Sequence, residues 1–224
     1  MMITGLISLE EYETQAANLI NIILAAYNKK ISIINCKNLI ELGTDKIKKY
    51  LYEIKNNGTD ILILKIDIND IDYEIFNYLQ LDIILYTMHN YRGEILSKYK
   101  TQMKKLLSLL NEKGVLIINE DFMEAHLFLE EFKGFNFDTV TYGFNSKSNI
   151  TTSSIGDTMF DKGFMLYQQK TVKALNGKTI SPQEYRIDAG KDKTDIYGAL
   201  GAVAFAVACG IELNLSNYCT VDIN

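Results

Sequence analysis

The chain has 224 residues, of which 47% are hydrophobic and 23% are charged, and this is enough for one sizeable hydrophobic core. A net charge of −5 excludes general affinity for nucleic acid or for anionic membranes, because both carry dense negative charge. No apolar run reaches the roughly 18 residues that a membrane-spanning helix needs, and the N-terminus lacks the pattern of a signal peptide. Three widely spaced cysteines are typical of buried thiols in a reducing compartment, so we expect a cytoplasmic protein.

Strands and helices alternate over the first two thirds of the chain. Hydrophobic periodicity predicts, in order, strand 2–5, helix 9–27, strand 31–35, helix 44–55, strand 60–66, helix 73–79, strand 82–87, helix 94–111, strand 114–119, helix 123–132 and strand 140–142. Thr44 or Asp45 is the expected N-cap of the second helix. Continuous apolar runs among the strands indicate that both sheet faces are covered. The order predicts an α/β fold with a mainly parallel, doubly wound sheet.

The pattern changes near residue 149. Residues 149–187 contain short strands separated by turns, among them an Asn176-Gly177 step, which is a strong hairpin signal. We therefore expect a small antiparallel extension of the sheet. An alanine-rich helix over 196–210 follows and ends at Gly210, a suitable C′ glycine. Since no proline- or glycine-rich linker interrupts the chain, we interpret residues 1–224 as a single domain.

The first strand and helix have the layout of a phosphate-binding loop. The segment 2–5 predicts a strand that enters a tight glycine turn, and the following helix would aim its N-terminus at phosphates. A working loop also needs a second glycine, a lysine and a Ser or Thr. The chain has Ser8, Leu9 and Glu10 there, and a carboxylate repels phosphate. The loop is therefore degenerate.

Four further segments follow one another in the order and spacing of a known family. They are Asp82 to Thr87, Gly114 to Asp121, Val140 to Gly143, and Ile196 to Ala206. They resemble, in turn, the Asp-x-x-x-x-Thr-Asn strand, the strand ending in Asn-x-Asp-Asp, the Tyr-Gly strand end and the Asn-Ala-Leu-Ala-Ala helix of the central, ATP-binding domain of the Mur ligase superfamily. That family includes the peptidoglycan amino-acid ligases, folylpolyglutamate synthetase and cyanophycin synthetase.

The resemblance implies positions for a nucleotide and for metal ions. Nucleotide-binding residues would be Thr4, Gly5, Asn119 and Asp121, and the cofactors would be ATP and Mg²⁺ if the family activity is retained. Lys104 lies where many members carry a carbamylated lysine that bridges metal ions.

The chain also departs from the family. The phosphate-binding loop would fall on residues 4–10, where only two residues match, and Lys65 replaces the Mg²⁺-binding glutamate. The Asp-His after strand 82–87 is absent. Thr194-Asp195 and Gly198 replace the His-Asn and the Asn of the alanine-rich helix. The N-terminal and C-terminal domains of the family have no counterpart in residues 1–224.

Lys65 and His89 are the candidate catalytic residues besides Lys104. Because an unpaired ammonium at the end of an apolar strand is costly, Lys65 should form an ion pair with Asp67 or Asp121, or stand in for the missing loop lysine. His89, close to Arg92, suits either anion contact or a structural role.

Residues 67–72 contain three carboxylates directly after a strand. Asp67 is the candidate metal ligand there. The alternative is a solvated turn in which Asp72 caps a helix, since the segment lacks the glycine and glutamate of a calcium loop.

These observations lead to two hypotheses about function. The first is a Mur-ligase-like central domain that has lost ligase activity and acts as a binding or regulatory module, as a homodimer or with a partner protein that covers its bare faces. The alternative is a divergent ATP-dependent carboxylate–amine ligase or ATPase subunit that uses Lys65, Lys104 and Asp121 and needs a partner chain.

Overall fold

A ten-stranded mixed sheet runs through the computed structural model, which describes residues 1–8, 13–87, 95–122, 125–152, 163–188, 196–213 and 219–220. The strands of the chain are β1 Met2–Ser8, β2 Ile31–Asn35, β3 Ile61–Asp67, β4 Leu81–Tyr86, β5 Leu110–Asn119, β6 Asp138–Tyr142, β7 Ile150–Thr152, β8 Gly163–Gln168, β9 Val172–Lys173, β10 Thr179–Ile180, β11 Gln183–Asp188 and β12 Cys219–Thr220. The α-helices are α1 Glu13–Ala26, α2 Cys36–Ile40, α3 Thr44–Asn56, α4 Ile95–Ser108, α5 Ala125–Glu131 and α6 Ile196–Ala208.

The strand order is β12-β11-β8-β7-β6-β5-β4-β1-β3-β2. Along this order, every neighbouring pair from β2 at the edge to β7 is parallel. Strand β8 is antiparallel to β7, and β11 is antiparallel to β8. The predicted α/β fold is confirmed. Within the antiparallel extension, β7, β8 and β11 continue the main sheet, whereas β9 and β10 form a separate two-stranded sheet.

Helices cover both faces of the sheet and create two cores. The first core lies under α1 and α6, and the second lies under α3, α4 and α5. Because neighbouring strand residues point to opposite faces, Ile63 belongs to the first core and Leu64 to the second. Helix α6 is buried on every side from Gly198 to Ala208, and its small side chains let it pack closely against α1 and the sheet.

Several element boundaries differ from the sequence-based predictions. The N-cap of α3 is Gly43, with φ +74°, so the expected cap at Thr44 or Asp45 is wrong. Helix α2 was not predicted because its five residues are too few to show a period. The segment near 73–79 forms a 3₁₀ helix, Glu74–Tyr78, and a second one covers Ile68–Asp70.

Two local predictions in the second half of the chain are confirmed. Strands β9 and β10 pair as an antiparallel hairpin around Asn176-Gly177, and Gly177 has φ +82°. Gly210 follows α6 with φ +80°, donating to Val207 O at 2.9 Å while Ile211 N donates to Ala206 O at 3.0 Å. These two bonds form a Schellman motif, which satisfies the last carbonyls of the helix.

Among the described residues, no helix combines the length and the apolar character that crossing a membrane requires.

Candidate functional site at the carboxyl edge of the parallel strands

The parallel strands end together at one edge of the sheet, which we call the carboxyl edge. The register places Ser8 beside Asp67, and Asn119 beside Tyr142. In open α/β sheets this edge is the usual place for ligands, especially where the strand order reverses. Here the order reverses around β1, whose neighbours are β3 and β4.

Thr4 and Gly5 do not lie at this edge. Strand β1 continues to Ser8, so the tight turn expected at Gly5 is wrong. Thr4 is 1% exposed and is paired with strands on both sides, about 13 Å from the strand end at roughly 3.3 Å per residue. A Cβ at Gly5 would lie 3.0 Å from Leu81 Cδ1 and 3.1 Å from Ile66 Cδ1, so the glycine serves close packing between strands.

The connection from β1 to α1 is therefore residues 9–12, which lie outside the described residues. In sequence it reads Leu-Glu-Glu-Tyr, and Glu13 begins the helix. This segment contains two glutamates and a third follows it, while glycine and lysine are both missing from it. Carboxylates suit the positive end of a helix but repel phosphate. With β1 ending at Ser8, the phosphate-loop position has an unfavourable composition for nucleotide.

Lys65 lies at the carboxyl edge on the first-core face of β3, beside Leu6 of β1 and Asn35 of β2. The expected ion pair is wrong: neither Asp67 nor Asp121 approaches its ammonium within salt-bridge distance. The Lys65 side chain is partly buried and has no partner among the described residues.

Asp67 acts as a local cap. Its Oδ1 accepts from Asn69 N at 2.9 Å and from Asn69 Nδ2 at 2.8 Å, which closes the start of the first 3₁₀ helix. The cap expected at Asp72 for the next helix is wrong, because Tyr73 is the N-cap of Glu74–Tyr78, and Asp72 instead lies 3.9 Å from the ammonium of Lys105. Within the described ranges, no group of three His, Cys, Asp or Glu residues is placed to hold a metal ion.

Asn119 and Asp121 are tied to the protein itself. Asn119 is 1% exposed, and its Oδ1 accepts from Asp121 N at 2.9 Å. The Asp121 carboxylate accepts from Phe144 N at 2.5 Å, from Asn145 N at 2.9 Å and from the Tyr197 hydroxyl at 3.3 Å. Three donors use most of the roughly four lone-pair directions that a carboxylate offers.

The rings of Phe144 and Tyr197 meet edge to face, with centroids 5.2 Å apart. We call Asp121, Phe144, Asn145 and Tyr197 the Asp121 clasp, because they join the end of β5, the β6–β7 turn and the first turn of α6. Gly143 completes the geometry, since a Cβ there would lie 2.7 Å from Asp121 Oδ2. The sequence did not reveal the clasp, whose members are up to 76 residues from Asp121.

Lys104 is separated from these residues. It is exposed on α4, one turn before the helix ends at Ser108. That end leads into the start of β5, so Lys104 lies towards the opposite, amino edge of the sheet. The structure therefore does not bring Lys104 together with Asn119 or Asp121, and the described residues do not form the metal bridge of the family. His89 and Arg92 lie outside the described residues.

Comparisons with known proteins point to one family of folds. No protein-family model matches the chain, and no curated protein matches it in sequence. Among solved structures, a UDP-N-acetylmuramoylalanyl-D-glutamyl-2,6-diaminopimelate–D-alanyl-D-alanyl ligase from Acinetobacter baumannii matches 98% of this chain and 46% of its own, with a TM-score of 0.66 and 13% identity. The chain has the fold of the Mur ligases.

Two other structures extend this similarity. A MurF ligase from Thermotoga maritima, solved in complex with ADP, matches the whole chain with a TM-score of 0.55 and 10% identity, over 49% of its own length. A bifunctional folylpolyglutamate synthase/dihydrofolate synthase, solved with Mn, AMPPNP and L-glutamate, matches 96% of the chain with a TM-score of 0.59 and 8% identity, over 55% of its own. The Mur-ligase-like chain thus spans about half the length of these enzymes.

Proposed function

We propose that this Mur-ligase-like domain does not carry out ATP-dependent ligation and acts as a binding or regulatory module. The observation that carries the proposal is the amino-acid composition of the segment after β1. The strand ends at Ser8, and the residues that follow offer glutamates where a phosphate-binding loop needs glycine and lysine.

Three further observations support the proposal. The Asp121 carboxylate is occupied by the clasp, Lys65 stands where the resemblance places the Mg²⁺-binding glutamate, and Lys104 lies away from the carboxyl edge. Phosphoryl transfer depends on positive charge and metal ions that offset the charge of the transferring group. The described residues at the carboxyl edge do not supply that combination.

The test is calorimetric titration of the purified chain with ATP, with and without Mg²⁺. We expect no saturable heat up to millimolar ATP, while the Acinetobacter ligase measured in parallel serves as a positive control. Micromolar, Mg²⁺-dependent binding would overturn the proposal, because it would require a rebuilt phosphate site.

The alternative is a divergent ATP-dependent ligase or ATPase subunit that works with a partner chain. The specific observation in its favour is Lys65, a partly buried ammonium at the carboxyl edge that has no partner among the described residues. If ATP hydrolysis were found, Lys65→Ala should abolish it. Hydrolysis that survives this substitution would exclude Lys65 as the phosphate contact.

A binding module needs a partner, and we propose a second copy or another protein. All exposed large hydrophobic residues of the described chain lie between residues 42 and 78, namely Leu42, Tyr50, Tyr52, Tyr73 and Tyr78. Exposed apolar groups are typical of interaction surfaces where they form one patch, and the Lys48 ammonium of α3, 5.3 Å from the centroid of the Tyr78 ring, brings α3 and the 3₁₀ helix Glu74–Tyr78 together. Sedimentation at increasing concentration should show self-association, or co-purification should show a partner. A monomer at high concentration that co-purifies alone would count against this part of the proposal.

A further inference from the structure

A cavity of about 290 Å³ opens on the second-core face of the sheet, opposite α1 and α6. It lies between the end of β5, helix α5 and the β6–β7 turn, and it is lined by Ile118, Glu120, Ala125, Leu129, Thr141, Asn145 and Lys147. The cavity lies on the other face of the sheet from α1, the helix that follows the phosphate-loop position in sequence. An inference about it therefore stands independently of the function proposed above.

The cavity holds two opposite charges that do not neutralise each other. Glu120 and Lys147 both line it, yet they do not approach within salt-bridge distance, and neither has an ion-pair partner among the residues that the structure describes. Two opposite charges that remain apart in one cavity can each contact a different charged group of a bound molecule.

The carboxylate is held in place by its neighbour. The Thr141 hydroxyl lies 2.9 Å from Glu120 Oε2 and 3.1 Å from Asn149 Oδ1, and the backbone N–H of Asn149 donates to Thr141 Oγ1 at 3.0 Å. The backbone N–H of Thr141 donates to Asn149 Oδ1 at 2.8 Å. This network orders the wall that carries the charge, and it leaves Glu120 Oε1 with no donor among the described residues.

The position of Lys147 is set by the β6–β7 turn. Its backbone N–H donates to Asn145 Oδ1 at 2.9 Å, and its carbonyl accepts from the Lys170 ammonium. Lys147 is exposed and lines the cavity, so a small molecule from solution can reach its side chain. The floor is apolar, because it is lined by the aliphatic side chains of Ile118 and Ala125, both of which are buried.

Size, charge and polarity together define a class of ligand. Since a water molecule takes about 30 Å³ in the liquid, the cavity has room for roughly ten non-hydrogen atoms. We propose that it binds a small zwitterion with an apolar body, whose ammonium contacts Glu120 and whose acid group contacts Lys147. Charge-assisted hydrogen bonds to both charged groups would orient the molecule, and the aliphatic floor would bury its body.

The test uses three probes that share the same branched 3-methylbutyl unit. L-leucine carries both charges, isoamylamine only the ammonium and 4-methylpentanoate only the carboxylate. We expect amide-resolved NMR to show saturable shifts of Leu129 and Thr141 with L-leucine, and binding of each singly charged probe to be about tenfold weaker, because each lacks one charge-assisted hydrogen bond.

Paired variants show which cavity residue contacts each charged group of the probe. Glu120→Gln keeps an acceptor for the Thr141 hydroxyl. It should weaken the binding of L-leucine about tenfold and leave the affinity for 4-methylpentanoate unchanged. Lys147→Met should weaken the binding of L-leucine by a similar factor and leave the affinity for isoamylamine unchanged. Glu130→Gln and Lys133→Met are the matched controls, because both residues are exposed and neither lines the cavity.

Three results would overturn the proposal. The first is the absence of saturable shifts at Leu129 and Thr141 with L-leucine up to about 20 mM, well above a millimolar Kd. The second is equal affinity for L-leucine and either singly charged probe. The third is a pair of cavity variants that bind L-leucine as tightly as the two controls do.

Discussion

Removing the Asp121 carboxylate should measurably destabilise the fold. Asp121→Ala deletes the acceptor of three hydrogen bonds, from Phe144 N, Asn145 N and the Tyr197 hydroxyl. A hydrogen bond to a charged group contributes about 1.5–3 kcal/mol. The bond to Phe144 should approach the lower value. The bond to exposed Asn145 and the long bond to Tyr197 should contribute about 0.5–1 kcal/mol each.

The expected loss in the free energy of unfolding is therefore about 2.5–3.5 kcal/mol. For a chain of this size, that corresponds to a fall in Tm of roughly 5–14 °C. Urea titration followed by circular dichroism measures the free energy, and calorimetry measures Tm. Asp138→Ala is the matched control, because Asp138 is an exposed carboxylate at the start of β6 and should change stability by less than about 0.5 kcal/mol.

A double-mutant cycle tests whether the clasp acts through these contacts. Tyr197→Phe should cost about 0.5–1 kcal/mol in the wild-type protein and less when Asp121 is already alanine, because the bond between the hydroxyl and the carboxylate is then already lost. The reasoning would be refuted if Asp121→Ala were as stable as Asp138→Ala. It would also be refuted if the effects of Asp121→Ala and Tyr197→Phe were additive.

Two further substitutions test packing and burial. Gly210→Ala should lower the free energy of unfolding by more than about 1 kcal/mol, because Gly210 has φ +80° and a Cβ there would lie 2.1 Å from Asn176 Nδ2. A urea midpoint equal to that of the wild type would contradict this prediction. Tyr185→Phe should cost about 1–3 kcal/mol at neutral pH, because the buried Gln168 Oε1 loses the hydroxyl that donates to it at 2.5 Å. Burial raises the pKa of Tyr185 well above its ordinary value of 10.0, so the folded state keeps this proton longer than the unfolded chain does. The stability that Tyr185 contributes is then complete below about pH 10 and declines as the pH rises further. Denaturation of both proteins from pH 7 to pH 11 should show the difference between them narrowing, and a constant difference would contradict the assignment.

The periodicity of the sequence was sufficient to predict the class of fold. Alternating apolar patterns and continuous apolar strands predicted a parallel sheet covered on both faces, and the residues of β3 indeed alternate between the two cores. The Asn176-Gly177 hairpin and the glycine after α6 were also predictable, because positive φ angles depend on the residue itself and its immediate neighbours. Four short segments were enough to indicate a resemblance to the Mur ligases, and the fold similarity confirms it.

The site depended on contacts that local sequence does not contain. Strand β1 extends past Gly5 because each residue from Met2 to Ser8 has a partner on β3, and pairing over this distance sets where a strand ends. Asp121 could be expected at the carboxyl edge, but its donors come from a turn 23 residues away and a helix 76 residues away.

The sequence by itself therefore determined the order of helices and strands, the turns that need glycine and the unfavourable composition after β1. Only the tertiary structure decided that Thr4 lies inside the sheet, that Lys65 has no carboxylate partner among the described residues, and that Lys104 lies away from the carboxyl edge. The physical reason is the range of the interactions involved. Backbone preferences and hydrophobic periodicity act over a few neighbouring residues, whereas strand register, ion pairs and cavities form between segments that meet only when the chain is folded.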